Sequence, residues 1–301
     1  MSSSDFLLAT LKVLMPLRCP DSLLASGGEM YQNTFDLLHE EDIFCRLDGD
    51  VALAAQRDLK ALEDAGFLVE IGQSFVDPLN ASVAREGQGQ TKLQWVNAAS
   101  WNFFAPVLDP VFGCRLHMAD LAINKALATG GRRQVRDYVD LFFIHKFIAP
   151  LWIALWAAPR KDESWSPRSL AEKFAMKGAF RQEEFDEEFG SESEMSATLI
   201  GTTIRDALNE ADSVFQHLPN QTVGKLFVTA DGGLINDIGT LKAKPQGMRA
   251  LAATKGGTWP SGPGIDHALI QRVISAYGCE SGNKRPGYDP RGHLLDHDVL
   301  P

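Results

Sequence analysis

The chain has 301 residues, of which 45% are hydrophobic and 23% charged; this composition can build a full core and excludes a chain that is disordered throughout. Its formal net charge of −10 argues against a protein that coats nucleic acid, because such a protein needs a broad basic surface; a local basic pocket remains compatible with this charge. The four cysteines lie far apart without a CxxC pair, so the sequence indicates no zinc ribbon.

The first part of the chain predicts a mixed α/β unit. The pattern favours a helix over 5–15 that ends before Pro16, and a second helix that begins after Asp50 and ends at Gly66. Apolar or alternating runs predict strands, namely TFDLL (34–38), FLVEI (67–71), ASVARE (81–86) and TKLQWV (91–96). The order of these elements indicates a mixed sheet of about four or five strands flanked by helices, an α/β (α+β) fold.

Helical patterns dominate from residue 118. MADLAINKALATGG (118–131) predicts a helix that ends at two glycines, RQVRDYVDLFFIHKF (133–147) predicts a second with one apolar side, and SPRSLAEKFAMKG (166–178) a third. The acidic run RQEEFDEEFGSESE (181–194) is interpreted as a solvated face or loop. Beyond residue 219 the chain is rich in Gly, Pro and Lys, which favours loose packing or partial disorder.

A basic stretch, NKALATGGRRQVRDYVDL (124–141), stands out in this acidic chain. Lysine holds a phosphate as a compact charge and arginine grips phosphate oxygens in a planar fork, so the stretch is a candidate phosphate site. The alternative from the same residues is an ion pair between Arg136 and Asp140, four residues apart on a surface helix, with Asp137 placed near the helix start.

The segment LHMADLAINKALATGGRRQVRDYVDLFFIH (116–145) resembles the signature of the AbiEii/AbiGii toxin family of nucleotidyltransferase-like proteins. The resemblance continues in FDLLHEEDI (35–43), in TKLQWVNAASWNFFAPVLDPVFG (91–113) and in LWIALWAAPRKDESWSP (151–167), and covers about residues 24–218.

Pattern and resemblance together predict four regions. An N-terminal helical segment (1–22) precedes a nucleotidyltransferase-like α/β core (23–115), and a helical subdomain with the NK and RD motifs follows (116–218). A Gly/Pro-rich tail (219–301) has no predicted role.

The resemblance also implies a reaction, in which a nucleotide passes from an NTP to an RNA, such as tRNA, or to a protein acceptor with Mg²⁺. The predicted nucleotide-binding residues are Lys125 of NK, Arg132 or Arg133 of GR, and Arg136 of RD. Lys125 is also a predicted catalytic residue, together with Asp36, Asp137 and Asp140; the resemblance leaves open whether Asp137 or Asp140 is the counterpart of the family's active-site aspartate.

The acids that would bind the metal are incompletely retained. Alignment on His39 places the family's D-x-D on Thr34 and Asp36 and its third acid on Gln94, so Asp36 is the predicted metal ligand. An amide oxygen such as that of Gln94 coordinates Mg²⁺ without adding charge to neutralise the cation. The loop between Gly28 and Thr34 is also shorter than in the family.

Two other acidic sets are open as replacements. Glu40, Glu41 and Asp42 match an acidic run of the family that usually lies in a solvated loop. Asp48 and Asp50 form a D-x-D, although turn and N-cap roles explain them more simply.

Two functions from different classes follow from the resemblance, whereas the match in several segments disfavours a third hypothesis, an unrelated interaction protein whose basic residues are ordinary surface residues. One is an active nucleotidyltransferase with an NTP, an acceptor and a cognate antitoxin as partners. The other is a catalytically inactive member of the family that keeps a nucleotide- or partner-binding pocket. The apolar run FIAPLWIALWAAP (147–159) is too short to span a bilayer, and the N-terminal apolar run lacks a preceding basic segment, so we expect a cytoplasmic protein without a membrane partner.

Overall fold

A computed structural model describes residues 3–19, 22–25, 40–46, 51–72, 79–98, 101–109, 113–191 and 195–258. These residues form two compact units, the first within 1–100 and 105–117 and the second within 101–104 and 118–261. The fold is α+β, as predicted. Among the described residues no single helix is long and apolar enough to cross a membrane, although two helical segments bent by 110°, Val135–Ile148 and Leu151–Arg160, pass that test as a pair.

The first unit is built on a mixed sheet. Its described strands are β1 (Ser22–Leu24), β2 (Glu40–Arg46), β3 (Leu68–Ile71), β4 (Leu79–Arg85), β5 (Gly89–Ala98), β7 (Val107–Asp109) and β8 (Gly113–Arg115), whereas β6 (Trp101–Asn102) belongs to the second unit. The strand order is β3-β4-β5-β2-β1-β8-β7, with β2 parallel to β5 and antiparallel to β1. The prediction of four or five strands was too low, because β1, β7 and β8 have only three residues each and leave no alternating pattern.

In the described part of this unit, two helices cover the sheet, α1 (Ser3–Leu14) and α2 (Val51–Asp64), and both confirm predicted helices. The core between α2 and β5 contains a buried ion pair: Arg18 Nη2 lies 2.5 Å from Asp58 Oδ2, and neither side chain is exposed. Trp95 Nε1 donates to the same carboxylate oxygen at 2.8 Å. Burial lowers the pKa of the Arg18 guanidinium, and the charge of Asp58 offsets part of this effect.

The second unit is mainly helical. Its helices are α3 (Met118–Gly131), α4 (Val135–Phe143), α5 (Leu151–Ala157), α6 (Pro167–Lys177), α7 (Gln182–Phe189), α8 (Ala197–Phe215) and α9 (Ile238–Ala243). A π-helical turn, Ile144–Ile148, extends α4, so the predicted helix over 133–147 forms with a change of winding near its end. Every residue of α5 is buried, which makes α5 the centre of this unit.

Short strands complete the second unit: β6 pairs with β11 (Thr254–Lys255), and β9 (Lys225–Val228) pairs with β10 (Arg249–Ala252). Leu226, Phe227 and Val228 are buried, so the expectation of loose packing after residue 219 is wrong for the part of the tail up to residue 258. The pattern did not predict these strands because they have only two to four residues each and lie among segments rich in glycine and proline.

The predicted start of α6 is confirmed. Ser166 Oγ accepts a hydrogen bond from Ser169 N at 3.0 Å, and Pro167 occupies the first helical position, where a missing N–H costs nothing. The acidic run predicted as a solvated face or loop forms the helix α7, in which Phe185 is buried and Gln182, Glu183 and Glu187 are exposed.

Candidate functional site

Helices α3 and α4 bring the two halves of the basic stretch together. Lys125 lies on α3 and Asp140 on α4, and Lys125 Nζ lies 2.9 Å from Asp140 Oδ2. The carboxylate is 2% exposed, whereas the lysine side chain is 17% exposed. A buried carboxylate thus holds an ammonium group that solvent still reaches, an arrangement that can present a positive charge to an anion.

Asp137 has a different partner. Arg132 donates to both of its oxygens, from Nε to Oδ2 and from Nη2 to Oδ1, each at 2.9 Å. The Asp137 side chain is 2% exposed and lies in the first turn of α4. This fork geometry fixes the segment between α3 and α4, and of the two aspartates only Asp140 is seen to contact Lys125.

Arg133 and Arg136 contact the acidic helix α7. Arg133 Nη1 donates to Glu184 Oε1 at 2.8 Å, and its guanidinium carbon lies 4.1 Å from the centre of the Phe180 ring. Arg136 Nε donates to Glu188 Oε1 at 2.9 Å. Each of the four predicted cations of the basic stretch therefore contacts a carboxylate of its own unit.

The contact with α7 changes the ionisation of both partners. Hydrogen bonds from the Arg133 guanidinium, and then from the backbone N–H of Arg181, lower the pKa of Glu184 from 4.5 to about 2. The same carboxylate raises the pKa of Arg133. Since both side chains are partly exposed, solvent screens the pair and its contribution to folding stability is small.

A buried polar cluster anchors the start of α3. Asp120, which is not exposed, accepts hydrogen bonds from the backbone N–H groups of Phe103 and Phe104, both at 2.9 Å. Lys161 Nζ lies 2.8 Å from Asp120 and donates to Asn124 Oδ1 at 2.9 Å. Because Asn124 directly precedes Lys125, this cluster fixes the turn of α3 that carries the lysine. No sequence pattern predicted this cluster, although Asp120 stands five residues before Lys125 in the chain.

The structure describes only part of the predicted metal site. Asp36, the predicted metal ligand, and Thr34 lie outside the described residues. Gln94 lies on β5, and its Nε2 donates to Asn80 Oδ1 on β4 at 2.7 Å. The amide at the position of the third acid therefore contacts a second amide of the same sheet.

Glu40 and Asp42 lie in strand β2, so their assignment to a solvated loop is wrong. On the neighbouring parallel strand, Lys92 is the Cα partner of Glu40 and Gln94 that of Asp42. Ile43 and Cys45 of strand β2 are buried in the core. Residues 40–45 are three acidic residues followed by three apolar ones, so no alternation indicated this strand in the sequence.

A metal centre of three or more His, Cys, Asp or Glu side chains does not occur among the residues whose side chains the structure describes. At the position that the resemblance assigns to the third acid, Gln94 offers an amide oxygen, which can coordinate Mg²⁺ but adds no charge to neutralise it.

Comparisons with known proteins give distant similarities. No family model and no curated protein matches the chain. Among solved structures, the chain is similar to JHP933 from Helicobacter pylori, with 13% identity, a TM-score of 0.44, and coverage of 72% of this chain and 97% of that one. It is also similar to MenT4, a nucleotidyltransferase toxin from Mycobacterium tuberculosis H37Rv, with 10% identity, a TM-score of 0.41, and coverage of 69% and 93%.

Proposed function

We propose that this chain is a nucleotidyltransferase of the AbiEii/AbiGii toxin type, which moves a nucleotide from an NTP to a hydroxyl group of an RNA or protein acceptor. The observation that best supports the proposal is the contact of Lys125 with Asp140. These residues come from different motifs of the resembled signature, and they meet as a partly exposed cation on a buried carboxylate. Exposed ion pairs contribute little to stability, and this pair differs from them in its buried carboxylate.

In this proposal Lys125 binds the triphosphate. One N–H of its ammonium group faces Asp140, and an ammonium has three donors, so it can also donate to a phosphate oxygen. Asp140 is the positioning residue of this lysine. Arg132 bonds to Asp137 through Nε and Nη2 and is about half exposed, so a second phosphate oxygen can reach its guanidinium group.

Mg²⁺ is the cofactor of this proposal, and Asp36 is the ligand that the resemblance implies. When bound, the metal neutralises charge on the triphosphate. The chemical step forms a bond between the acceptor oxygen and the α-phosphorus, breaks the bond from that phosphorus to the bridging oxygen, and releases pyrophosphate; the hydroxyl proton passes to water.

A second function has its own support: an inactive member of the family that retains a nucleotide- or partner-binding pocket. Gln94 replaces an acid, and its amide is engaged with Asn80 at 2.7 Å. A site with one carboxylate fewer attracts Mg²⁺ less strongly. A cognate antitoxin would be a partner of either form.

The two functions are separated by label transfer. The purified chain is incubated with each α-³²P-labelled NTP, Mg²⁺ or Mn²⁺, and either total tRNA or proteins of a cell extract. We expect labelled product from the wild type and none from Lys125→Ala or Asp36→Ala. The matched control is Lys60→Ala, which removes a lysine that also pairs with an aspartate, Asp64 at 2.9 Å, but on an exposed surface; its product should equal that of the wild type.

Other outcomes decide against parts of the proposal. Transfer by Gln94→Glu but not by the wild type would establish the inactive form. Equal transfer by the wild type and Lys125→Ala would remove the lysine from the site. If neither the wild type nor Gln94→Glu transfers label, and no NTP raises the melting temperature, the chain has neither function.

A further inference from the structure

An exposed tryptophan of the second unit has an arginine over its ring. Trp101 lies on β6 and is 44% exposed. The guanidinium carbon of Arg160, at the end of the 3₁₀ turn Ala158–Arg160, lies 4.6 Å from the centre of the Trp101 ring, which is within the range of a cation–π interaction. Surface packing alone can produce such a pair, so the other contacts of Arg160 decide whether the pair is open to a ligand.

Arg160 differs from the other described arginines that lie over aromatic rings. Arg133 also donates to Glu184, and Arg85 also donates to two backbone carbonyl groups. Arg160 is exposed, and its guanidinium forms no ion pair or hydrogen bond with the residues that the structure describes. The acidic residue nearest to it in the sequence, Asp162, accepts hydrogen bonds from a serine two residues further on. The charge and the donors of Arg160 are therefore available to an anion.

A second cation lies beside the tryptophan. Strands β6 and β11 are antiparallel, and Lys255 of β11 is the Cα partner of Trp101. Residues that are directly opposite in an antiparallel pair have Cβ atoms about 5 Å apart on the same face. Lys255 is exposed, and the two residues after it, Gly256 and Gly257, have positive φ angles of 81° and no side chains that could cover the ring. The surface thus combines an exposed indole ring with two exposed cations.

Buried contacts hold both parts of this surface in place. Asp120, which is not exposed, accepts hydrogen bonds from two backbone N–H groups of segment 101–104, which carries Trp101. Lys161, which directly follows Arg160, pairs with the same carboxylate at 2.8 Å and is 5% exposed. The tryptophan and the arginine are therefore anchored on one buried group, and little backbone ordering is needed when a ligand binds.

Single-stranded nucleic acid has the chemistry that this surface fits. Every unpaired base has a π face that stacks on an aromatic ring, and the phosphates of the strand bind arginine and lysine. The bases of a duplex are already paired and stacked, so a duplex cannot use the ring in this way. A strand supplies a phosphate on either side of each base, whereas a free nucleotide supplies phosphate on one side only, so two cations beside one ring favour the strand.

From these observations we infer that Trp101, Arg160 and Lys255 form a binding site for single-stranded RNA, with the indole ring as the stacking surface for one unpaired base. All three residues belong to the second unit. The inference rests on the proposed function for one point, the role of the strand as the acceptor of the nucleotide. Lys161 also donates to Asn124, the residue before Lys125, so the strand site and the proposed phosphate-binding lysine share one buried cluster.

The test measures binding of a decauridylate RNA with a 5′-fluorescein label to the full chain. Fluorescence anisotropy is recorded without NTP or divalent metal, at a series of salt concentrations. We expect Trp101→Ala to weaken binding about tenfold, the loss of one stacked base, and Trp101→Phe to weaken it less because an aromatic ring remains. Arg160→Gln should weaken binding and also reduce the slope of log affinity against log salt concentration by about 0.7, the effect of one lost phosphate contact, whereas Trp101→Ala should leave that slope unchanged.

Two matched controls lie in the same unit. Phe147→Ala removes an aromatic side chain that is 72% exposed, and Arg168→Gln removes an arginine that is 58% exposed and pairs with Asp212. Both variants should bind the RNA like the wild type. With a duplex of the same length, Trp101→Ala should have no effect.

The inference is overturned if Trp101→Ala and Arg160→Gln bind the RNA as the wild type does, or if uridine monophosphate competes as well as unlabelled decauridylate. An equal loss in Phe147→Ala, or for the duplex in Trp101→Ala, would also overturn it. If Trp101→Ala loses its circular dichroism spectrum, the salt slope of Arg160→Gln decides the matter.

These outcomes are distinct from those of the proposed function. If the RNA binds with the expected dependence on Trp101 and Arg160 but no label is transferred from any NTP, the inference stands and the transfer reaction fails. Transfer of label to proteins by a chain that does not bind the RNA would overturn the inference and leave the proposed function intact.

Discussion

Replacement of Lys125 by methionine should destabilise the packing of α3 on α4 more than replacement of its partner Asp140 by asparagine. Methionine keeps most of the side-chain volume but removes the charge that faces Asp140, which is 2% exposed. Breaking a buried ion pair by removing one partner costs about 3–5 kcal/mol, and because the lysine is 17% exposed we expect the lower end, about 3 kcal/mol.

The reverse change, Asp140→Asn, should cost less. The amide still accepts a hydrogen bond from the ammonium group, and water reaches that group to stabilise its charge. We expect a loss of about 1 kcal/mol, typical of one hydrogen bond. The double variant should then lose less than the sum of the single losses, by 1 kcal/mol or more, because residues in contact are coupled.

Hydrogen–deuterium exchange with mass spectrometry measures these losses where they occur. Peptides from α3 and α4 should lose protection in Lys125→Met, whereas peptides from β4 and β5 in the other unit should not change. Equal losses for the two single variants, or additive losses in the double variant, would refute the view that a buried carboxylate holds this lysine.

Three further predictions concern other parts of the chain. Asp58→Asn leaves a buried guanidinium without its counterion and should lower the free energy of unfolding by about 3–5 kcal/mol in urea denaturation, whereas the exposed Asp64→Asn should change it by less than about 1 kcal/mol. Because the pKa of Glu184 is lowered from 4.5 to about 2, its bond to Arg133 should be complete above pH 4.5 and lost as the pH falls through about 2; carboxyl ¹³C NMR measures this, and a midpoint near 4.5 would contradict the contact. In Gly178→Ala the new Cβ would meet a ring carbon at 2.7 Å and a backbone oxygen at 2.9 Å, so we expect a loss of about 1–3 kcal/mol and a lower melting temperature.

Local patterns predicted the helices well, because their signals lie within a few residues. The helix of residues 118–131 ends at its two glycines, and Ser166 with Pro167 begins α6 as its residue types indicate. The acidic run was different. Its charges predicted a solvated face, and several residues of α7 are exposed. Glu184 and Glu188, however, form ion pairs with arginines about fifty residues earlier in the chain, and no local pattern predicts such pairs.

The candidate site was also predictable only in part, because contacts between separate helices and strands leave no local signal in the sequence. The resemblance predicted that Lys125 and an aspartate of the RD run belong to one site, and the packing of α3 on α4 distinguishes Asp140 from Asp137 as the residue in contact with the lysine. The position of Glu40 and Asp42 depended on strand pairing, which the sequence does not specify. An acidic pair therefore resembled a loop until β2 was seen beside β5.

The most direct measurement of the central claim compares two labels on one NTP. A chain that transfers a nucleotide through attack at the α-phosphorus puts ³²P from the α position on the acceptor, releases ³²P from the γ position as pyrophosphate, and does neither when Lys125 is replaced by alanine. The account predicts this result. Label from the γ position on the acceptor would indicate phosphoryl transfer instead, and its appearance, or the absence of any transferred label, would contradict the claim.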